Sequence, residues 1–431
     1  AAALYLLRED EEACYLFICN TGEDLREVEF NQGTHISRRT LAFPEVIIRG
    51  NGACKGAPLE LDPATGEVWT TTSKKTAGGW EIRTSLPALG SRLFVIPKKR
   101  NVKAPARRLM TDTRAIALNP RAWSFTRTEP NVLVLDRPRY RFNGRRWQPA
   151  DEILRVDTAA RQAMSLPPRG GAMKQPWARE KSASPKRLKV ELTYTFKVSA
   201  LPAGSLHLAL ERPDAMRITV NGTPVAATPV GWWTDRSLHT VLLDPALLCR
   251  GRNEILLTVD YDEEHPGLES AFLLGDFGVR VDGTATTLTT LPAALKLGDW
   301  VPQGLPFYAG TIRYRTTVHR PRMRKKDRLL LRAPSYAGTA VRVLVDGCPA
   351  GIIAWEPNEV DITDLFTNST AEVAIEVIGH RRNSHGPLHL TDLFPQWVGP
   401  AQFITTGDAW SDDYRLVPCG LLKAPELVVR R

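Results

Sequence analysis

An acidic segment in the middle of the chain is the first candidate for chemistry. It reads DYDEEHPGLESAFLLGDFGV over residues 260–279. Its carboxyl groups belong to Asp260, Asp262, Glu263, Glu264, Glu269 and Asp276. Hydrolysis of a glycosidic bond requires two opposed carboxyl groups, whereas the oxygens of Asp260, Asp262 and Glu269 would suit calcium. The pattern of the segment predicts a strand, a loop and a returning strand. The third alternative is therefore that these carboxyl groups are simply solvated.

A second polar segment, GHRRNSHGPLH at residues 379–389, holds three histidines close together. The spacing of His380, His385 and His389 matches no common metal motif, so a loop that hydrogen-bonds a polar partner is favoured. The chain also lacks a nucleophile elbow and a phosphate-binding glycine loop. We therefore assign no catalytic residue, no metal ligand and no cofactor from sequence, with calcium as the one cofactor left open.

Aromatic residues with polar neighbours indicate sugar recognition instead. A pyranose packs its CH face on an aromatic ring, and its hydroxyls bond to Asp, Asn, Arg and His. Three segments combine these groups: GWWTDR (231–236), LGDWVPQGLPFYAGTIRY (297–314) and the histidine segment. The predicted carbohydrate-binding residues are Trp232, Trp233, Asp235, Trp300, Phe307, Tyr308, Arg381, Arg382, Asn383 and His385. The alternative is that the tryptophans fill the protein core.

The elements that must position these residues are β-strands, and part of their pattern occurs twice. RITVNGTPV (217–225) is followed 125 residues later by RVLVDGCPA (342–350). Apolar residues alternate in both, and Asn-Gly or Asp-Gly tolerates the positive φ of a type I′ turn, so each predicts a β-hairpin. The same order of strand, hairpin, tryptophan, strand, turn and final strand surrounds both copies, with the final strands opening at Glu254 and Glu372. This repetition predicts two related β-sandwiches.

The chain of 431 residues divides into four predicted parts. Short strands separated by Gly, Pro, Asn and Asp predict a β-sandwich over 1–97, with one strand at 28–30. Residues 98–180 are predicted as a linker with a hairpin and a short helix, from about 149 or 150 to 163, that packs on the next domain. The two repeated sandwiches are assigned to 181–290 and 291–431. The predicted fold class is all-β, with tandem antiparallel sandwiches.

Composition limits the partners. The net charge of +10 comes largely from the runs at 97–108, 160–181 and 319–328, but no RNA-stacking motif, zinc finger or recognition helix accompanies them. We therefore expect a solvated, arginine-rich surface and no nucleic-acid partner. No run approaches the roughly 18 apolar residues of a membrane span, and no membrane partner is expected. The chain opens without methionine and directly in a strand, which suggests the middle of a longer polypeptide.

Six cysteines, at positions 14, 19, 54, 249, 348 and 419, show no metal-ligand pairing. Free thiols in a reducing compartment are favoured over a disulfide framework, which favours a cytoplasmic location.

The quoted motifs, together with NVLVLDRPRYRFNGRRWQPADEIL, QPW, LLGDFGV, VDITDLF and RRNSHGPLH, resemble the C-terminal half of large bacterial glycoside hydrolases. The similarity covers about 130–431 and is strongest over 290–390. It points to proteins with family 2 sugar-binding-like domains and, among catalytic families, to α-L-rhamnosidase-like enzymes of family 106. Residues 1–97 resemble the β-sandwich that follows the barrel in such enzymes.

The resemblance implies that the two repeated sandwiches are galactose-binding-like jelly rolls. It also implies that the catalytic carboxylates sit on a preceding (β/α)8 barrel, for which this chain has no alternating strand–helix series. The expected partners are carbohydrate and the catalytic barrel of the same parent polypeptide. The leading hypothesis is an accessory region that binds carbohydrate or braces the barrel. The alternatives are a purely structural docking module and a complete glycosidase that uses the 260–276 acidic loop.

Overall fold

The computed structural model describes residues 3–21, 42–52, 54–63, 65–88, 90–99, 101–107, 110–121, 123–169, 184–395 and 397–431. The predicted strand 28–30 and the QPW tripeptide at 175–177 lie outside these ranges. Contacts between residues divide the chain into two compact units. Unit 1 comprises Ala1–Thr111 and Phe394–Gln396, and unit 2 comprises Asp112–Leu393 and Trp397–Arg431. In the described part of the chain, no helix is long and apolar enough to cross a membrane.

Unit 1 is a small antiparallel sandwich. Its strands are β1 (Ala3–Glu9), β2 (Ala13–Asn20), β3 (Phe43–Asn51), β4 (Leu59–Leu61), β5 (Val68–Thr70), β6 (Thr72–Thr76), β7 (Gly79–Leu86) and β8 (Ser91–Pro97). One sheet has the order β1-β2-β8-β4-β5 and the other β3-β7-β6. Alternating side chains from both sheets meet in a buried cluster of Ile18, Ile82, Leu86 and Phe94.

Unit 2 contains the remaining strands and three short helices. They are β9 (Asp112–Ala117), β10 (Ser124–Arg127), β11 (Asn131–Leu135), β12 (Arg139–Phe142), α1 (Ile153–Ala163), β13 (Arg187–Val198), β14 (Ala203–Glu211), β15 (Met216–Val220), β16 (Thr223–Val225), β17 (Pro229–Trp233), β18 (Asp235–Leu243), β19 (Gly251–Asp262), β20 (Ala271–Asp276), β21 (Gly278–Asp282), β22 (Ala285–Thr289), β23 (Thr311–His319), β24 (Arg328–Arg332), β25 (Tyr336–Ala337), β26 (Ala340–Val345), β27 (Cys348–Ile353), β28 (Glu359–Asp361), β29 (Thr370–Ile378), α2 (Arg382–His385), α3 (Pro400–Phe403), β30 (Gly420–Leu421) and β31 (Glu426–Arg430). The predicted all-β class is confirmed.

These strands form two sandwiches. The first sandwich packs the sheet β11-β20-β14-β18-β17 on the sheet β16-β15-β19-β13-β22-β21, with β12 added beside β13. The second sandwich packs β10-β23-β29-β26-β27 on β28-β24-β31-β9. Each has its own buried apolar cluster, because alternate side chains of facing sheets point inward.

The predicted repeat is visible in the strand order. The run β16-β15-β19-β13 in the first sandwich corresponds to β27-β26-β29-β23 in the second. Both hairpins turn through residues with positive φ, at Asn221 (48°) and Asp346 (46°). A side-chain oxygen of Asn221 accepts from the Glu254 backbone N–H at 2.9 Å, and Asp346 Oδ1 accepts from the Glu372 N–H at 2.8 Å. The same turn residue therefore fixes the same final strand in both copies.

The segment 98–180 supplies strands to both sandwiches. β9 pairs with β31 and β10 with β23 in the second sandwich, whereas β11 pairs with β20 and β12 with β13 in the first. The predicted linker region is therefore built into unit 2 from Asp112 onward. The predicted helix is present as α1, and it begins at Ile153 because the Glu152 side chain caps it by accepting from the backbone N–H groups of Leu154 and Arg155.

Candidate functional site

A cavity of about 500 Å³ opens at one edge of the first sandwich. In the sheet β11-β20-β14-β18, neighbouring strands are antiparallel. The C-terminal ends of β11 and β14 therefore lie at the same edge as the N-terminal ends of β20 and β18. This brings Asp136, Glu211, Asp235 and Glu269 to one place, although up to 133 positions (136 to 269) separate them in the chain.

We call this space the edge cavity. It is lined by Val134, Asp136, Glu152, Ile153, Leu154, Glu211, Asp235, Ser237, Leu238, Glu269, Ser270, Phe272, Ser384, His385, Gly386, Leu388, His389, Val398, Gly399, Pro400 and Phe403. Glu152 comes from the start of α1, whereas His385 comes from α2 and His389 from the segment that follows α2. The lining thus combines five carboxyl groups with two histidines and an apolar surface.

The carboxyl groups of the edge cavity have divergent pKa values. Burial, reinforced by the negative charge of Glu211, raises the pKa of Glu269 to about 7. Glu269 keeps an exposed surface within the concave cavity. Burial and then the charge of Asp136 raise the pKa of Glu152 to about 8. By contrast, hydrogen bonds from the Ser237 backbone N–H (2.8 Å) and hydroxyl (2.7 Å) lower the pKa of Asp235. Protonated and ionised carboxyl groups therefore coexist here near neutral pH.

Asp136 and His389 form a buried pair in the cavity wall. Asp136 Oδ1 accepts from the Tyr414 hydroxyl at 2.9 Å, and Oδ2 lies 3.1 Å from His389 Nε2. His389 Nδ1 lies 2.9 Å from the Ser411 carbonyl oxygen. A carbonyl oxygen only accepts, so Nδ1 donates to Ser411 while Nε2 faces the Asp136 carboxyl group. This network fixes the orientation of both side chains.

His385 faces the same cavity as a neutral ring. Burial, and next the positive charge of Arg381, lower its pKa to about 4. The ring is stacked on Phe272 at 5.1 Å between centroids, and Ser384 Oγ lies 2.7 Å from its Nδ1. Within the described residues its Nε2 has no hydrogen-bond partner. A neutral imidazole that is stacked on an aromatic ring can donate a hydrogen bond to a ligand hydroxyl group or accept one from it.

Of the residues predicted to bind carbohydrate, only Asp235 and His385 line the edge cavity. Five others are at most 7% exposed and belong to the interior: Trp233, Trp300, Phe307, Tyr308 and Asn383. For Trp233 and Trp300 the structure thus favours the alternative of core packing. Trp232, the neighbour of Trp233 on β17, is 58% exposed because successive strand residues face opposite sides.

The two arginines of the histidine segment have structural surroundings. Arg381 forms a two-pronged ion pair with Glu129, at 3.1 and 2.9 Å. The Arg382 guanidinium is buried, and this burial lowers its pKa while the charge of Asp392 opposes the shift. Neither side chain is among those that line the edge cavity.

The residues considered for calcium are dispersed. Asp260 pairs with Arg217 at 3.4 Å, and Asp262 Oδ1 accepts from the Glu264 backbone N–H at 3.0 Å. Glu269 lies in the edge cavity. Over the described ranges, no three His, Cys, Asp or Glu side chains are placed to hold a metal ion. The described structure does not group Asp260, Asp262 and Glu269 as metal ligands, and calcium binding stays a prediction.

Sequence reasoning did not single out Asp136, Glu152 and Glu211. Asp136 directly follows the buried strand β11, and Glu152 directly precedes α1. The sequence shows that these three carboxyl groups lie at the ends of strands or helices, where polar site residues often occur. It does not show that they lie together, because that depends on the order of the strands in the sheet.

No family model matches the chain, and the search of curated proteins found no match. Among solved structures, a rhamnosidase from Novosphingobium is 12% identical with a TM-score of 0.41; the match covers 100% of this chain and 24% of that protein. A β-D-mannosidase from Dictyoglomus thermophilum is 12% identical with a TM-score of 0.21, over 62% of this chain and 32% of that protein. A β-glucuronidase from Ruminococcus gnavus is 11% identical with a TM-score of 0.23, over 62% of this chain and 45% of that protein.

These three neighbours are glycoside hydrolases. The chain spans less than half the length of each. Their TM-scores and identities are too low to assign a family, a substrate or a site residue to this chain.

Proposed function

We propose that the first sandwich binds carbohydrate in the edge cavity and that the chain is the accessory, non-catalytic region of a glycoside hydrolase. The observation that carries this proposal is the lining of the cavity, in which carboxyl groups stand beside the apolar side chains of Phe272, Leu388 and Phe403. Its volume of about 500 Å³ falls in the range of small-molecule sites.

The chemistry suits a polyhydroxylated ligand. The ionised Asp235 accepts hydrogen bonds from sugar hydroxyls, and Glu269, with a pKa of about 7, donates or accepts. The half-buried ring of Phe403 offers an apolar surface to the CH face of a sugar. Because the described lining holds five carboxyl groups and no Lys or Arg side chain, anionic sugars are repelled, and a neutral sugar is the expected class.

The test is calorimetric titration of the full chain with a panel of neutral and acidic oligosaccharides. We expect a neutral sugar to bind and the Asp235→Asn and His385→Ala variants to bind at least tenfold more weakly. The matched control is Asp260→Asn, since Asp260 is exposed and outside the cavity. If no sugar binds, or if the cavity variants bind as tightly as the control, the proposal is wrong. A docking module without glycan affinity would then be favoured.

A hydrolytic role is the second candidate, because the pKa values of Glu269 and Asp235 are displaced in opposite directions. In that reaction, Asp235 takes a proton from a water molecule whose oxygen attacks the anomeric carbon. The glycosidic C–O bond breaks, and Glu269 gives its proton to the leaving oxygen.

Aryl glycosides distinguish the two functions. Hydrolysis by the wild-type chain that is lost in Glu269→Gln supports catalysis. Sugar binding without hydrolysis supports the accessory function.

A further inference from the structure

Two thiols of unit 1 lie together although 40 positions separate them in the chain. Cys14 belongs to β2, and Cys54 lies three residues beyond the end of β3. Their Sγ atoms are 3.2 Å apart. β2 and β3 belong to different sheets, and Cys54 lies in the segment that connects β3 to β4, a strand of the same sheet as β2.

The backbone holds both cysteines beside the same end of β8. Cys14 pairs with Ile96 in the register of β2 and β8. The Gly56 N–H, two residues after Cys54, donates to the Pro97 carbonyl oxygen at 2.9 Å. Both thiols are thus held beside one end of β8, and closure requires their sulfurs to approach from 3.2 Å to the roughly 2.05 Å of a disulfide bond.

We propose that Cys14 and Cys54 are a disulfide site, which closes when the chain meets a disulfide oxidant such as glutathione disulfide. One thiolate attacks the oxidant, forms a mixed disulfide and releases one glutathione thiolate. The second cysteine thiolate then attacks the mixed disulfide, and a second glutathione leaves. In total, two protein thiols are oxidised and one glutathione disulfide is reduced to two glutathione molecules.

The rate of disulfide formation depends on how easily the oxidant reaches the two thiols and on how readily the thiols lose their protons. Both thiols are partly exposed, so a small oxidant can reach them. Burial, followed by the hydrogen bond with Cys54, raises the pKa of Cys14 to about 11. Because the thiolate is the reacting species, closure accelerates as the pH rises.

The bond would matter because unit 1 has a small core. Its buried apolar cluster, over the described residues, consists of four side chains. A cross-link between positions 14 and 54 removes conformational freedom from the unfolded chain. We expect oxidation to raise the Tm of unit 1 by about 10 °C. All six cysteines are free thiols in the structure, as the sequence favoured, and Cys14 and Cys54 are in contact with each other.

The test oxidises the full chain with glutathione disulfide and maps it by peptide mass spectrometry without reduction. We expect a peptide that links Cys14 to Cys54, and a fall from six titratable thiols to four in denaturant. Comparing the Tm of the oxidised and reduced wild-type chain needs no substitution that could prevent folding. The expected Tm gain disappears on addition of a reductant.

Matched variants separate this pair from the other cysteines. Cys54→Ser should abolish both the linked peptide and the Tm gain, whereas Cys19→Ser, in the same strand as Cys14, should retain both. Linkage of Cys14 to another cysteine, or six remaining thiols after oxidation at pH 8.5, would overturn the proposal.

Discussion

Replacing Glu152 with glutamine tests whether the edge cavity holds a proton on this carboxyl group at neutral pH. Glu152 is 4% exposed, and its Oε2 accepts from the Leu154 N–H at 2.8 Å and the Arg155 N–H at 3.2 Å. A glutamine oxygen can keep this helix cap, while the side chain is neutral at every pH. The substitution therefore changes the charge and preserves the shape.

The magnitude follows from the shift in pKa. The pKa of Glu152 rises from 4.5 to about 8 on folding, so the folded protein binds this proton more tightly than the unfolded chain. The resulting stabilisation is fully present below pH 4.5 and is lost as the pH rises through 8. The wild-type free energy of unfolding should fall, relative to Glu152→Gln, by about 2.5 kcal/mol between pH 5.5 and pH 7.5.

Urea unfolding of both proteins, followed by tryptophan fluorescence at the two pH values, measures this change. Taking the difference between the two proteins cancels the titration of unrelated groups. The matched control is Glu191→Gln, since a two-pronged pair with Arg141, at 2.8 Å for both contacts, lowers the pKa of Glu191. Stabilisation by Glu191 is lost only as the pH falls below 4.5, so this control should show a constant difference over the same range.

A difference between wild type and Glu152→Gln that stays constant within about 0.5 kcal/mol would refute the reasoning. It would mean that Glu152 is ionised in the folded protein and that the edge cavity is more negative than we infer.

Two further predictions concern packing and the repeated hairpin. Gly278→Ala should lower the free energy of unfolding by about 2 kcal/mol in urea titrations, because a Cβ there would lie 2.5 Å from Thr289 Oγ1. The control Gly50→Ala should leave the free energy of unfolding unchanged, because nothing lies within 4 Å of its new Cβ. Equal effects of the two substitutions would contradict the packing argument. Asp346→Ala should cost about 1–2 kcal/mol, because the Glu372 N–H loses its acceptor and alanine tolerates the turn poorly. Asp346→Asn should retain most of the stability, and a full loss in Asn would show that charge, not hydrogen bonding, matters at this turn.

Local patterns made much of the strand content predictable. The hairpins at Asn221 and Asp346 depend on residues adjacent in sequence, because a two-residue turn and the alternation of its strands involve few neighbours. The repeat then predicted the shared strand order of the two sandwiches. The sequence also predicted the helix, with a start at about 149 or 150. In the structure the helix begins at Ile153, because the Glu152 side chain caps it there.

Trp232 and Trp233 face opposite sides of β17, and the sequence could not say which of these sides is the core. That depends on which sheet covers β17. Likewise, Trp300 and Tyr308 were candidates for ligand contact, and they are buried because the second sandwich closes over them.

The sequence by itself determined the all-β class, the duplicated hairpins and the acidic character of the segment around Glu269. Only the tertiary structure decided that Glu269 meets Asp136, Glu152 and Asp235 in one cavity. The physical reason is that antiparallel pairing brings alternate strand ends to a common edge, and the order of strands within a sheet is set by packing between residues distant in the chain. The close approach of Cys14 and Cys54 depends in the same way on the long-range contacts that hold β2 and the segment after β3 beside the end of β8.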